Sequence, residues 1–272
     1  MRVGLIQMRS GITIDANLAA AEELIRAAAA DGATFVATPE TTHLVQKDAD
    51  GLFDVLQTPD TDPAMAFFAG LAKELGITLL IGSMALKTGE RQAVNRSCLF
   101  GPDGALLATY DKVHMFDVGL GAGETYSEST NYRAGERAVI ADIPGARLGL
   151  TICYDVRFAY LYRKLAKAGA QIITVPSAFT RPTGKAHWEV LLRARAIETG
   201  SYILAPAQGG LHEDGRKTWG HSMIVDPWGE IIACLGHDEP GILIADLDLA
   251  KVDTARTRIP SLAHDRPFSG PD

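Results

Sequence analysis

Three side chains in this 272-residue sequence would suffice for acyl transfer if the fold brought them together: the thiol of Cys153, the carboxylate of Glu40 and the ammonium of Lys112. A thiol with a pKa of about 8.5 is mostly protonated at neutral pH, so it becomes a nucleophile only beside a base or a cation. A glutamate can take its proton, and a lysine can favour the thiolate or hold a developing oxyanion. No histidine stands in a cysteine–histidine pattern of the papain type. Each residue alone also has an ordinary reading: a strand cysteine packs in a core, a glutamate after a strand is solvated, and a lysine is a surface charge.

Placement is what favours chemistry. Glu40 follows "FVATP", Lys112 lies in "TYDKVHMFD" just past "ALLAT", and Cys153 follows "LGLTI". Each therefore stands at the carboxyl end of an apolar run that reads as a strand, where sites in α/β sheets gather. The elements that must position them alternate along the chain. Strands are expected over 2–8, 33–39, 77–83, 171–177 and 201–207, and helices over 17–30 and about 62–75. Another helix follows Cys153, with Phe158, Leu161, Tyr162 and Leu165 on one face and Gly169 at its end. A helix over 185–200 carries Trp188, Leu191, Leu192 and Ile197 on its apolar stripe. Pro and Gly between short apolar runs predict hairpins over 96–110 and 222–235, and the runs 137–143 and 146–152 predict a third pair. Parallel βα units mixed with hairpins imply an α/β fold with a mixed sheet, or two sheets, and helices outside. With no repeat, low-complexity tract or long linker, the expectation is one domain over 1–272. Its polar, proline-bearing residues 255–272 form a C-terminal extension lying on the surface or on a partner subunit.

The formal net charge of −7 excludes the basic stripe of a nucleic-acid-binding protein. No run approaches the roughly 18 apolar residues of a membrane span, and the N-terminus lacks a signal-peptide pattern. Three cysteines without a CxxC pair fit reduced thiols, so a cytoplasmic protein is expected. His212 and His221 lack the companions of a zinc site, and "GGLHEDGR" (209–216) is a flexible rim loop without a phosphate-cradling pattern, so neither a metal nor a cofactor is expected. Cys98 and Cys234 read as core residues. Asp155 and Arg157 read as an ion pair orienting the Cys153 turn. Arg195 falls on an apolar helix stripe and must meet a carboxylate, either one near Glu198 or a ligand's, and the internal partner is favoured.

In order and spacing, "TPE" (38–40), "YDKVHMFD" (110–117) and "TICYDVRF" (151–158) resemble the three catalytic blocks of the nitrilase superfamily of carbon–nitrogen hydrolases. The similarity runs from residue 2 to about residue 265. This resemblance implies a four-layer α-β-β-α sandwich with mixed sheets, paired into a homodimer or a higher homo-oligomer. It implies Cys153 as nucleophile, Glu40 as proton acceptor and donor, and Lys112 with the Tyr154 N–H as holders of the oxyanion. "YSES" (126–129) resembles the block that carries a supporting carboxylate, which nominates Glu128 over Glu124, a surface acid being the alternative. The longer stretch 175–210 resembles the Nit branch, whose members are amidases of small 2-oxo amides. Within it, "AHWEVLLRARAIET" and "GHSMIVDPWG" resemble the amidases of deaminated glutathione more than the ω-amidases. Phe179, Thr180, Lys185 and His187 are then possible pocket residues. Lys185 stands where that branch usually has proline, and it could touch a substrate carboxylate or face water.

Overall fold

The computed structural model of the protein describes residues 1–121 and 124–270. Strand β1 (Arg2–Gln7) is buried from its second residue onward, as a strand inside a sheet covered on both faces must be. Helix α1 (Ile14–Ala30) turns Leu18, Ala21, Ile25 and Ala28 inward, the three-and-four spacing of one helix face. The short strand β2 (Phe35–Ala37) follows. Helices α2 (Ala49–Val55) and α3 (Pro63–Leu75) start at Asp48 and Asp62, whose carboxylates accept the N–H groups of Gly51 and Ala64. Gly76 closes α3 in the left-handed conformation, which a residue with a Cβ adopts only at a cost. Then come β3 (Thr78–Gly89), β4 (Gln92–Phe100) and β5 (Leu106–Asp111), and a separate antiparallel pair, β6 (Asp117–Gly121) and β7 (Glu124–Ser127).

The second half runs through β8 (Val139–Ile143), β9 (Ala146–Leu150), α4 (Ala159–Lys167), β10 (Ile172–Thr174), α5 (Arg181–Thr199) and β11 (Tyr202–Ala205). A second small pair, β12 (Gly209–Leu211) and β13 (Lys217–Trp219), precedes β14 (Met223–Val225), β15 (Ile231–Cys234), β16 (Gly241–Asp246) and α6 (Ala250–Arg258). Two six-stranded sheets result, ordered β16-β1-β2-β3-β4-β5 and β15-β14-β11-β10-β9-β8. Read from β16 and from β8, both sheets have one antiparallel pairing, two parallel ones, then two antiparallel ones. The two sheets thus repeat one topology, although the sequence shows no repeat.

Alternation along the strands divides the core. Ile6, Val36, Leu79 and Ile81 face α1 and α3, whereas Val3, Leu5, Phe35, Ala37 and Leu80 face the second sheet. With α4 and α5 on the far side of that second sheet, the layers are helix, sheet, sheet, helix, as the resemblance implied.

Several boundaries differ from expectation for identifiable reasons. Helix α5 begins at Arg181 rather than 185, because Pro182 lies in its first turn, where a missing N–H costs nothing. Gly184 is there for packing: a Cβ would stand 2.3 Å from Trp219. Ile197 is off the inward stripe and 54% exposed; Leu192, Arg195, Ala196 and Thr199 face inward instead. Arg195 meets internal partners, donating to Val156 O at 2.8 Å and Glu198 Oε2 at 2.6 Å. Residues 209–216, expected as a flexible loop, form β12 and its turn. Cys98 is buried, but Cys234 is exposed because β15 is an edge strand. Helix α6 runs on through Arg258, so any C-terminal extension starts after residue 255. In that extension Asp265 pairs with Arg163 and Lys167 of α4 in the same chain, and its last two residues lie outside the described ones. Among the described residues no helix is long and apolar enough to cross a membrane.

Gly82 in β3 shows how tightly the first sheet meets the turn after β2. A Cβ on Gly82 would lie 2.1 Å from Thr38 O and 2.5 Å from Pro39 O, both backbone atoms. Gly82→Ala should therefore destabilise the protein by about 1–3 kcal/mol, read as a fall in Tm of roughly 2–12 °C. Gly70 in α3 is the contrasting site, since nothing lies within 4 Å of its added Cβ. Gly70→Ala should raise stability by about 0.4–1 kcal/mol in the same melts.

Candidate active site

The turn after β2 presents Glu40 because its backbone is held from both sheets. Gly82 N donates to Thr38 Oγ1 at 3.0 Å, Thr42 N donates to Ser83 O at 2.9 Å, and Gln208 Nε2 reaches across to Glu40 O at 3.0 Å. Lys112 comes directly after β5, its N–H on Asn95 O at 2.9 Å and its carbonyl accepting from Gly135 N at 2.8 Å. Cys153 begins a single turn of 3-10 helix, Cys153–Arg157, just beyond β9. Its φ of +48° is a left-handed conformation, held by the Cys153 N–H on Pro176 O at 2.9 Å. A non-glycine residue there stores strain of roughly 1–3 kcal/mol.

Asp155 binds this turn to the segment carrying Lys112. Its fully buried carboxylate accepts from Ile152 N at 2.9 Å, Tyr110 Oη at 2.7 Å and His114 N at 3.1 Å, and pairs with His114 Nδ1 at 2.6 Å. The expected pair with Arg157 is not formed. The 3-10 turn sends Asp155 inward and Arg157 outward, where its guanidinium lies over the rings of Tyr154 and Phe179 and beside His187 Nδ1 at 3.2 Å.

These connections bring Glu40, Lys112, Glu128 and Cys153 to one cavity of about 650 Å³. Lys112 is 2% exposed, and its Nζ lies 2.9 Å from Glu40 Oε1 and 3.0 and 2.9 Å from the two oxygens of Glu128. Glu128 is fixed further by Phe116 N, which donates to its Oε2 at 2.7 Å. Its neighbour Glu124 instead accepts from Tyr126 Oη at 2.7 Å. The second oxygen of Glu40, Oε2, accepts from Ala178 N at 2.8 Å.

Asn95 escaped the sequence reading. Its Nδ2 bridges Glu40 Oε1 at 2.9 Å and Glu128 Oε1 at 3.2 Å, so one amide aligns both carboxylates that grip Lys112. The available signal was a polar residue at a buried strand position, "AVNRS" on β4. Of the four pocket residues expected, Phe179 and Thr180 line the cavity. Lys185 and His187 do not. Helical periodicity turns Thr183, Gly184 and Trp188 inward and leaves 185 and 187 exposed.

Charge is set by proximity. Burial pushes the Glu40 carboxyl up, but the adjacent Lys112 and hydrogen bonds from its neighbours outweigh burial and hold it below 4.5. Burial opposes the charge on Lys112, yet Glu128 and Glu40 keep it well above 10.5. The Cys153 thiol is pushed well above 9.0 by burial and by Glu40, against the pull of Lys112. The resting arrangement is a neutral thiol facing an ionised carboxylate, with a protonated lysine beside both. Such a group can move a proton from sulfur to carboxylate as sulfur attacks a carbonyl, while the ammonium receives the negative oxygen.

The sequence matches the family model described as carbon-nitrogen hydrolase over residues 2–257. It is 42% identical over 263 residues to a deaminated glutathione amidase of Synechocystis, an alignment covering 95% of this chain and 96% of the relative. The fold superposes on the NitFhit protein of C. elegans with a TM-score of 0.90 and 36% identity, covering 97% of this chain and 65% of that one, so this chain spans about two thirds of NitFhit. It also superposes on an amidase from Nesterenkonia sp. AN1, seen with acrylamide added to its active-site cysteine, with a TM-score of 0.80, 27% identity and coverage of 96% and 98%. The chain belongs to the carbon–nitrogen hydrolase family.

Proposed function

We propose that the protein is a cysteine amidase that cleaves deaminated glutathione into 2-oxoglutarate and cysteinylglycine. The observation that carries the reading is the buried Lys112 ammonium clamped by Glu40 and Glu128 at the floor of the cavity that Cys153 also lines. In this mechanism Glu40 takes the thiol proton as Cys153 sulfur bonds to the amide carbon, and the oxyanion rests on Lys112 Nζ and the Tyr154 N–H. Collapse breaks the C–N bond, and protonated Glu40 gives its proton to the departing amine, leaving a thioester on Cys153. Glu40 then takes a proton from water as that water attacks the thioester. The second intermediate expels Cys153 as thiol and releases the acid. Glu128 holds the ammonium in place throughout. Similarity to amidases of that substrate over 95% of the chain supports the substrate, and the cavity has room beyond the reacting group for a dipeptide leaving group. The whole chain would act as one domain. A free thiol nucleophile must stay reduced, which supports a cytosolic setting.

We also propose a homodimer. Val190 and Ile197 of α5 and Trp228 of the β14–β15 turn are 67%, 54% and 48% exposed. Ile197 Cγ1 lies 2.6 Å from where a Cβ of Gly229 would stand, so the turn after β14 adjoins α5, and Val190 lies seven residues before Ile197 on the same helix face.

A panel of deaminated glutathione, 2-oxoglutaramate, glutamine and a simple nitrile tests the substrate, with cysteinylglycine release expected to dominate; faster ammonia release from 2-oxoglutaramate would instead identify an ω-amidase. Cys153→Ala should lower turnover by about 10⁴-fold or more. Asn95→Ala, which leaves the nucleophile and base in place, should lower kcat by about 10- to 100-fold, with a smaller effect on KM. The pH profile follows from the shifts. Because the Glu40 carboxyl is held below the usual carboxylate range while the Cys153 thiol and the Lys112 ammonium are held well above theirs, kcat/KM should stay level across neutral pH and fall on the acid side only below the usual carboxylate range. A bell centred near pH 7 would contradict this assignment. Val190→Glu should shift the sedimentation coefficient from dimer towards monomer.

A further inference from the structure

The cavity floor is assigned to chemistry, but its mouth carries three cations that the mechanism does not use: Lys47, Arg216 and Lys217. Lys47 and Lys217 are exposed, and the Arg216 side chain is 29% exposed, in contrast with the 2% of Lys112 below. On a chain of net charge −7, a cationic rim is a local reversal. Two acids lie nearby. Glu124 lines the same cavity, and Asp214 pairs with Arg216 Nε at 2.7 Å.

The hairpin that carries Arg216 is anchored rather than loose. Buried His212 at its base joins Ser10 O at 2.8 Å and Thr218 Oγ1 at 2.7 Å. Glu213 accepts from Ile12 N at 2.9 Å, and Asp214 accepts from Arg216 N at 2.9 Å. Asp214 thus holds the guanidinium by its Nε side and leaves the two Nη groups without a protein acceptor among the described residues. Lys47 flanks it, its ammonium 3.5 Å from where a Cβ on Gly215 would be. A pre-oriented arginine fork beside a lysine matches a carboxylate.

Which carboxylate follows from the order of steps. The acyl part stays bonded to Cys153 on the floor, whereas the amine must leave before water can enter, so the leaving group lies towards the open mouth. Two residues of extended chain reach about 7 Å, from a reacting centre on the floor towards the rim.

We propose that Arg216, assisted by Lys47 and Lys217, binds the terminal carboxylate of the leaving peptide and makes the enzyme selective for amides whose leaving amine is an anionic dipeptide. The proposal deepens the substrate reading above and rests on it.

The test compares deaminated glutathione with its C-terminal carboxamide, which differs only in that carboxylate, in the wild type, Arg216→Ala and Arg216→Lys, with 2-oxoglutaramate turnover and melting curves reporting an intact floor. The wild type should prefer the carboxylate. Arg216→Ala should raise KM for deaminated glutathione at least about ten-fold more than for the carboxamide, and Arg216→Lys should recover part of the preference. Added salt should raise KM for deaminated glutathione more in the wild type than in Arg216→Ala. Equal losses on the two substrates, or none, would overturn the assignment even with the amidase reading intact. Turnover of 2-oxoglutaramate without release of cysteinylglycine from deaminated glutathione or of cysteinylglycinamide from its carboxamide would sink the substrate reading and this subsite together.

Discussion

A buried ammonium flanked by two carboxylates is the constraint on which the site depends. Removing Lys112 from water costs several kcal/mol, and only paired charges in good geometry repay it. Glu40 supplies one partner and Glu128 the other, so the group carries one net negative charge while the thiol is neutral. Lys112 and the hydrogen bonds from its neighbours keep Glu40 ionised despite burial. A lysine neutralised by a single carboxylate would leave no net anion beside the sulfur, and a proton acceptor there would be weaker. The second carboxylate therefore shares the lysine, which suits Glu40 to the role of base proposed for it.

Meeting this constraint shapes the chain on a larger scale. Glu40 comes from the first sheet, Cys153 from the second, and Lys112 from the end of the edge strand β5. No one element can carry all three. The sheets are registered against each other by polar links at their carboxyl ends: Gln208 to Glu40 O, Ala178 N to Glu40 Oε2, and Asp155 to Tyr110 and His114. Strain at Cys153 fits the same scheme. The left-handed turn aims the sulfur into the cavity, and it persists because Asp155 and Pro176 over-determine it.

Much of this was legible in the residues. Each reactive side chain follows a short apolar run, and strand ends are where such groups collect, so Glu40, Lys112 and Cys153 could be nominated before their neighbours were known. Their convergence was not legible from spacing, and the resemblance to a known family supplied it. Other residues escaped because their roles are defined across the fold. Asn95 on its strand looks like any polar residue until two acids from other elements flank it. Asp155 and Arg157 are two apart and opposite in charge, which invites a pair, but one tight turn points them in different directions. Lys185 and His187 are nominated by the resemblance, at the start of a helix expected to wall the pocket, and helical rotation carries them to the outer face. Ile197 was read as core on hydrophobicity alone, a criterion that cannot separate a core from an exposed contact face.

The two small antiparallel pairs show how such a fold divides its labour. Neither β6–β7 nor β12–β13 belongs to a six-stranded sheet, yet both border the cavity. The reacting groups are locked by the packing of the large sheets, where a shift of one side chain would be felt throughout. The pairs at the mouth stand outside that packing and are held by local polar anchors, His212 and Glu213 for one and Asp117 with Ser129 for the other. Glu128, directly after β7, ties one of these pairs to Lys112, whereas β12–β13 carries none of Glu40, Lys112, Glu128 and Cys153. On the function proposed above, the reaction type rests on groups delivered by the sheets and the choice of leaving group on the rim hairpin β12–β13.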